Sequence, residues 1–159
     1  MGLHRTFPTT VATLPVKYMG LGIPDPFIQC GIARVKTFIT HMGSETLTSC
    51  FITYSLQLLQ IEMSFTKNVL EYDYDMWGYL ATPSWITSLW EFVSRYNIVL
   101  KPPEQLIPNE IREGDTNIMQ TLYTLGYQKQ ELMQINQVRI FLQVLYVSDI
   151  VEGNGKKIK

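Results

Sequence analysis

The sequence has few charged residues. Asp, Glu, Lys and Arg make up 17% of its 159 residues, against roughly one quarter in an average soluble domain. Thirteen basic and fourteen acidic residues leave a formal net charge of -1, so the chain as a whole has no field that would attract a nucleic acid or an anionic membrane. Any nucleic-acid contact must be local. With 46% hydrophobic residues, the chain can build a core, but uncharged polar residues or a partner must cover its surface.

Cysteine and histidine are equally scarce, with two of each. Cys30 and Cys50 fall in predicted helices, and their spacing indicates neither a disulfide scaffold nor a zinc site. His41 lies near a predicted helix C-terminus, where the helix dipole accounts for it. We therefore predict no metal and no cofactor. No uninterrupted apolar run is long enough for a signal peptide or a membrane-spanning helix, so we expect an intracellular protein, in the cytoplasm or nucleus, with no membrane partner.

Two short motifs invite a catalytic interpretation. Asp73 and Asp75 recur in a Tyr-Asp-Tyr-Asp run, but Tyr74 separates them and would place them on opposite faces of a strand, unlike the paired magnesium-binding aspartates of polymerases. Gly20 and Gly22 lack the third glycine and the preceding strand of a dinucleotide loop. We predict that the chain is not an enzyme. An active site assembled from distant residues is the remaining enzymatic alternative.

Hydrophobic periodicity predicts a mainly α fold, an irregular helical bundle of five or six helices. An extended lead-in is expected over 1–24 and a single helical domain over 25–159, with a subdivision near 101–114 as the alternative. Residues 140–150 suit either a helix or a buried strand, and the turn residues that follow allow a short C-terminal β-hairpin. The helices are predicted over 26–42, 44–63, about 67–71, 84–96, from Asp115 to Gly126, and from 129 past Arg139.

The helix predicted over 44–63 has two apolar stripes on nearly opposite sides, which requires neighbours on both. One side can pack on the preceding helix, while the other needs later helices of this chain or a separate protein. We assign the second stripe as the one that docks another helix. The first stripe is Leu47, Cys50, Phe51, Tyr54, Leu58 and Ile61, and the second stripe is Ile52, Leu56, Leu59 and Met63.

A glycine-rich turn runs directly into a helix start at residues 14–26. Gly20 and Gly22 permit positive φ or close backbone approach, and Pro24 keeps its predecessor extended. Asp25 and Pro26 are typical of an N-cap followed by the first helical residue. This pattern explains a sharp structural turn and carries no catalytic group.

The stretch Leu-Pro-Val-Lys-Tyr-Met-Gly-Leu-Gly-Ile-Pro-Asp-Pro resembles Leu-Pro-x-x-x-Gly-Gly-Leu-Gly-Ile-x-x-Pro, found downstream of the polymerase core in reverse transcriptases of non-LTR retrotransposons. Met19 replaces the first glycine. Later segments are similar to the C-terminal extension of such proteins: Ser88-Leu89-Trp90, Asn136-x-x-Arg139, Leu142-Gln143-Val144 and Ser148-Asp149-Ile150. The resemblance implies a C-terminal thumb or extension that lacks the palm and its catalytic aspartates, and so a fragment or degenerate remnant.

The resemblance also implies contact with RNA or an RNA/DNA template-primer. On the first long helix no basic row forms, because Lys36 lies about 160° from Arg34. Asn136, Arg139 and Gln143 form a polar line that can donate to phosphates or bases, with an ordinary solvent face as the alternative. The nucleic-acid-binding residues expected on this basis are Lys17, Arg34, His41, Asn136, Arg139 and Gln143.

The expected function is therefore a non-catalytic, template-handling or scaffolding segment of a reverse-transcriptase-like retroelement protein. Its partners would be nucleic acid, an upstream polymerase core or another helical protein. The alternative is a helical protein–protein interaction module, in which the second stripe of the 44–63 helix docks another helix.

Overall fold

The structure is a computed structural model that describes residues 8–102, 114–153 and 158. Within these ranges the chain is mainly α-helical and contains no β strand, which confirms the predicted fold class. The helices are α1 Thr9–Thr13, α2 Pro26–His41, α3 Leu47–Met63, α4 Tyr74–Trp77, α5 Trp85–Arg95, α6 Ile118–Thr124, α7 Lys129–Leu142 and α8 Val147–Ile150, with short 3-10 helices at Val16–Tyr18, Val69–Glu71 and Gly78–Leu80. Three of these helices, α1, α4 and α8, have only four or five residues and were not expected.

Side-chain caps set where the long helices begin. Asp25 caps α2 by accepting a hydrogen bond from the Phe27 amide at 2.8 Å, and Ser84 caps α5 through the Thr87 amide. The cap of α3 is Thr46, whereas Ser44, the expected cap, bonds to the His41 carbonyl in the preceding turn. These caps satisfy amides that have no partner within the helix.

The core lies between α2, α3 and α5 and includes the loop that follows α3. Phe65 stacks on Tyr72 with ring centroids 3.8 Å apart and meets Trp77 and Trp90 edge-on. The Trp90 indole N–H donates to the Tyr72 carbonyl at 2.7 Å, which satisfies the one polar atom of this buried ring. Trp77 and Trp90 are thus core residues.

Helices α2 and α5 cross at Gly31. A Cβ atom at this position would lie 2.1 Å from the Phe92 ring, so only glycine lets the Phe92 ring lie against the α2 backbone. Phe27, one turn earlier, has its ring centroid 5.7 Å from that of Phe92. These contacts hold α2 closely against α5.

Residues after 114 pack back onto the end of α3. The Asn117 amide donates to the Ser64 carbonyl and, at 2.9 Å, to the Ser64 hydroxyl, while its own oxygen caps α6 through Gln120. Asn117, rather than the expected Asp115, is therefore the N-cap of α6. The predicted subdivision near 101–114 falls largely on 103–113, which lie outside the described residues.

Three local expectations are wrong. The lead-in is not extended over residues 9–18, because it contains α1 and the 3-10 helix Val16–Tyr18. The loop expected around Asp73 includes the helical turn α4, which Asp73 caps. The segment 140–150 is neither one helix nor a strand, since α7 ends at Leu142 and α8 begins at Val147. Of the C-terminal hairpin, the described residues show a single antiparallel bridge between Val151 and Ile158.

Candidate interaction surfaces

The turn before α2 requires glycine-like backbone at three positions. Met19 has φ 62° and ψ 19°, in the left-handed region that favours glycine. A Cβ on Gly20 would lie 2.0 Å from the Leu14 carbonyl oxygen, and Gly22 has φ 62°. Glycine would therefore suit positions 19, 20 and 22 alike, the three glycines of the pattern that the stretch resembles.

Backbone hydrogen bonds fold the lead-in onto itself. The amides of Leu21, Gly22 and Ile23 donate to the carbonyls of Val11, Leu14 and Ala12 at 3.0, 2.9 and 2.9 Å. This closed loop leaves apolar side chains outside, with Met19 94% exposed and Val16 and Tyr18 also exposed. Lys17, expected to contact nucleic acid, is exposed, and its ammonium lies 4.8 Å from the Tyr18 ring centroid.

Arg139 is buried, with only 3% of its surface exposed. Its Nη2 donates to the main-chain oxygens of Ile61 and Glu62 at 2.9 and 2.6 Å, and its Nη1 donates to the Val144 carbonyl at 3.2 Å. Nε and Nη2 also donate to Oδ1 of Asn136, at 2.9 and 2.8 Å. The amide of Asn136 in turn donates to the Glu62 carbonyl at 3.1 Å.

Together Asn136 and Arg139 form a clamp that closes the C-terminal end of α3. The last carbonyls of a helix have no partner within it and lie at the negative end of its dipole, so a guanidinium is a suitable cap. Burial lowers the pKa of Arg139 to about 10, and the Glu62 carboxylate acts in the opposite direction. The guanidinium therefore stays protonated at neutral pH.

The clamp changes the interpretation of the polar line on α7. Asn136 and Arg139 do not form a solvent face, which makes that alternative wrong for both residues. Their donors are engaged inside the protein, so neither is presented to a nucleic acid. Gln143 is exposed and adopts the left-handed conformation at the C-cap of α7. The structure thus separates the three residues that helical spacing grouped together.

The remaining expected contacts lie on α2. Arg34 and His41 are half-buried, and Lys36 is exposed. Lys36 also lines the rim of an apolar cavity of about 250 Å³ between α2 and α5, formed with Ile28, Ile32, Val35, Phe92, Tyr96 and Ile98. The described residues give Arg34 and His41 no shared polar site.

The second stripe of α3 is core. Leu56 and Met63 are fully buried, and Ile52 and Leu59 are nearly so. They pack with residues of α5 and of the loop after α3, within the same hydrophobic cluster. The prediction that this stripe docks a separate helical protein is therefore wrong. The second stripe packs on later helices of this chain. The sequence allowed for this, with a separate protein as the other alternative.

The first stripe is exposed along the whole length of α3. Leu47 is 89% and Tyr54 71% exposed, and Phe51, Leu58 and Ile61 are also exposed. Cys50, a free thiol on the same stripe, is exposed as well. Isolated exposed apolar residues are ordinary, but a contiguous row on one helix is a feature of interaction surfaces. The sequence identified these residues as a stripe, and only the fold shows that this stripe faces outward.

The acidic run does not form a metal centre. Asp73 accepts hydrogen bonds from the Asp75 amide at 3.0 Å and the Ser94 hydroxyl at 3.4 Å, which is a capping role. Among the described residues, no cluster of His, Cys, Asp and Glu could hold a metal ion. Both aspartates line an open cleft of about 680 Å³ together with Glu71 and Arg95, and His41 is not part of it.

No family model, curated protein or solved structure matches this chain. In the part of the chain that the structure describes, no helix combines the length and the apolar character that crossing a membrane demands.

Proposed function

We propose that this chain is a non-catalytic scaffolding segment that holds a partner protein through the first stripe of α3. The observation that carries the proposal is the exposure of that stripe on a helix whose opposite face is buried in the core. A helix fixed in this way presents Phe51, Tyr54 and Leu58 without the entropic cost of folding on binding. Helices that bind in grooves use apolar anchors at this spacing.

We further propose that the segment derives from the C-terminal region of a reverse-transcriptase-like retroelement protein and acts inside the cell, in the cytoplasm or nucleus. The turn at residues 14–26 supports this origin. Its backbone keeps a left-handed conformation at Met19, where the resembled pattern has glycine. A non-glycine residue in this conformation costs free energy. A degenerating sequence would accumulate residues of this kind, which do not suit the backbone it inherited.

Scaffolding is favoured over template handling because of where the basic residues lie. The guanidinium of Arg139 donates its hydrogen bonds within the clamp, and the basic side chains of α2 do not form one row. A chain that grips a nucleic acid needs several phosphate contacts. The exposed Lys17 and Lys36 are separated along the chain by the turn and the first ten residues of α2.

Charge reversal tests the template-handling role. The triple variant Lys17→Glu, Arg34→Glu and Lys36→Glu removes exposed and half-buried cations without touching the Arg139 clamp. We expect the wild-type chain to bind single-stranded RNA and an RNA/DNA duplex only weakly at low salt, and the variant to bind equally weakly, by fluorescence anisotropy. If the wild type binds RNA with micromolar affinity and the triple variant does not, template handling replaces scaffolding as the function of the chain.

The genomic sequence upstream of Met1 tests the origin. An open frame that encodes paired aspartates before this segment would support descent from a polymerase. A frame that encodes an unrelated domain would contradict it and leave the scaffolding role intact.

A further inference from the structure

We propose that the partner held by the first stripe is a second copy of this chain, paired stripe against stripe. This inference rests on the scaffolding function proposed above and names its partner. Three features of α3 lead to it: the spacing of the stripe, the absence of charge over residues 46–61, and the area that the stripe offers.

The spacing of the stripe suits another helix. Leu47, Phe51, Tyr54, Leu58 and Ile61 follow one another at intervals of four, three, four and three residues. This is the heptad spacing by which two helices pack side by side at a shallow crossing angle, with the side chains of each filling the gaps of the other. The 17 residues of α3 give a contact about 25 Å long.

The surroundings of the stripe suit an identical helix. Residues 46–61 contain no Asp, Glu, Lys, Arg or His, so two copies of this surface meet without like charges facing each other. In pairs of different helices, flanking charges of opposite sign select the partner. The one charged residue of α3, Glu62, accepts hydrogen bonds from the amide and hydroxyl of Thr82, and the uncharged stripe of aromatic and aliphatic side chains before it is complementary to itself.

The area of the stripe predicts a weak pair. Phe51 and Tyr54 are each about two-thirds exposed, and with the three aliphatic residues they offer on the order of 500 Å² per copy. A standard interface buries about 800 Å² per partner. We therefore expect a dissociation constant in the micromolar range, with dimers that form and separate readily.

Sedimentation of the full chain over a range of concentrations tests the pairing. We expect a monomer–dimer equilibrium that Tyr54→Glu and Leu58→Glu each weaken at least tenfold, because each brings two carboxylates into an apolar contact. Gln137→Glu adds the same charge at an exposed position of α7 and should leave the equilibrium unchanged. A wild-type chain that remains monomeric at about 1 mM would overturn the proposal.

Complementary variants test whether the two stripes face each other. Tyr54 lies at the centre of the stripe, so the two copies of Tyr54 should be near each other in a two-fold pair. A mixture of Tyr54→Glu and Tyr54→Lys chains should therefore form a heterodimer that neither variant forms with itself. If each variant alone dimerises as tightly as the wild type, the pairing uses another surface and the proposal fails.

The two native thiols separate failure of the dimer from failure of the scaffolding role. Both Cys50, on the stripe, and Cys30, on α2, are exposed. We expect maleimide to modify Cys50 more slowly as the protein concentration rises, while the rate at Cys30 stays constant. Rapid modification of Cys50 at every concentration would overturn the dimer only. Slow modification of Cys50 in a monomer would mean that the stripe is covered within the chain, and would overturn both proposals.

Discussion

Nη2 of Arg139 lies 2.6 Å from the main-chain oxygen of Glu62 and donates a hydrogen bond to it. The two residues are on different helices, and the bond joins the C-terminal end of α3 to the last turn of α7. Because Arg139 is buried, its removal would leave the carbonyls of Ile61, Glu62 and Val144 without this donor in a region that water reaches poorly. The clamp is therefore a structural element of the α3–α7 contact.

Replacing Arg139 should be strongly destabilising. We expect Arg139→Met, which keeps an unbranched apolar stem, to lower the free energy of unfolding by about 3 kcal/mol because buried acceptors lose their donor. Arg139→Lys should recover only part of the loss, since one ammonium cannot replace a planar fork with several donors. Urea denaturation of each variant measures the effect. Gln137→Met, at an exposed position of the same helix, should change stability by less than about 0.5 kcal/mol.

Equal stability of Arg139→Met and Gln137→Met would show that the clamp contributes nothing. Asn136→Leu provides a second test, because Asn136 orients the guanidinium through Oδ1. Its effect should not add to that of Arg139→Met, since both substitutions break the same network.

Sequence patterns could predict the helices but not which way their faces point. The cap at Asp25 and the period of α5 are local signals, and the bounds predicted for α2 and α5 lie within one residue of those in the structure. The two stripes of α3 are similarly apolar, so periodicity could not distinguish core from surface. For Asn136 and Arg139 the helical spacing of two polar residues is the same whether they face solvent or a helix end, and only the position of Glu62 decides between the two.

Met19→Gly should stabilise the turn before α2. A non-glycine residue in the left-handed region costs roughly 1–2 kcal/mol, and the greater backbone freedom of glycine in the unfolded chain offsets part of the gain. We expect a net gain of about 1 kcal/mol. Hydrogen exchange should therefore slow about fivefold at the amides of Leu21, Gly22 and Ile23, which close the loop.

Leu21→Gly is the matched control for this substitution. It introduces glycine two residues later in the same loop, at a residue without positive φ. It should accelerate exchange at the same amides because it adds backbone freedom without relieving strain. If both variants change exchange in the same direction, the left-handed backbone at Met19 is not strained.

Gly31→Ala should force α2 away from α5. The added methyl group would lie 2.1 Å from the Phe92 ring, far inside contact distance. We expect a loss of about 1–3 kcal/mol in the free energy of unfolding, as for other overpacked core positions. Cys30→Ala, at the exposed neighbouring position, should be close to neutral. Adding Phe92→Leu should recover part of the loss in Gly31→Ala, because the smaller side chain makes room for the methyl group.

Two leucines on α3 distinguish its buried and exposed faces. Leu56 is fully buried in the second stripe, and Leu58, two residues later, is exposed in the first. Leu56→Ala should lower the free energy of unfolding by about 2–5 kcal/mol, because it removes buried methyl groups and leaves a cavity. Leu58→Ala should change it by less than about 0.5 kcal/mol at concentrations where the chain is monomeric. Because alanine is at least as good a helix former as leucine, a large loss at Leu58 could not come from helix propensity. It would instead show that the first stripe is covered within the chain. The stripe would then be part of the core and could not bind a partner.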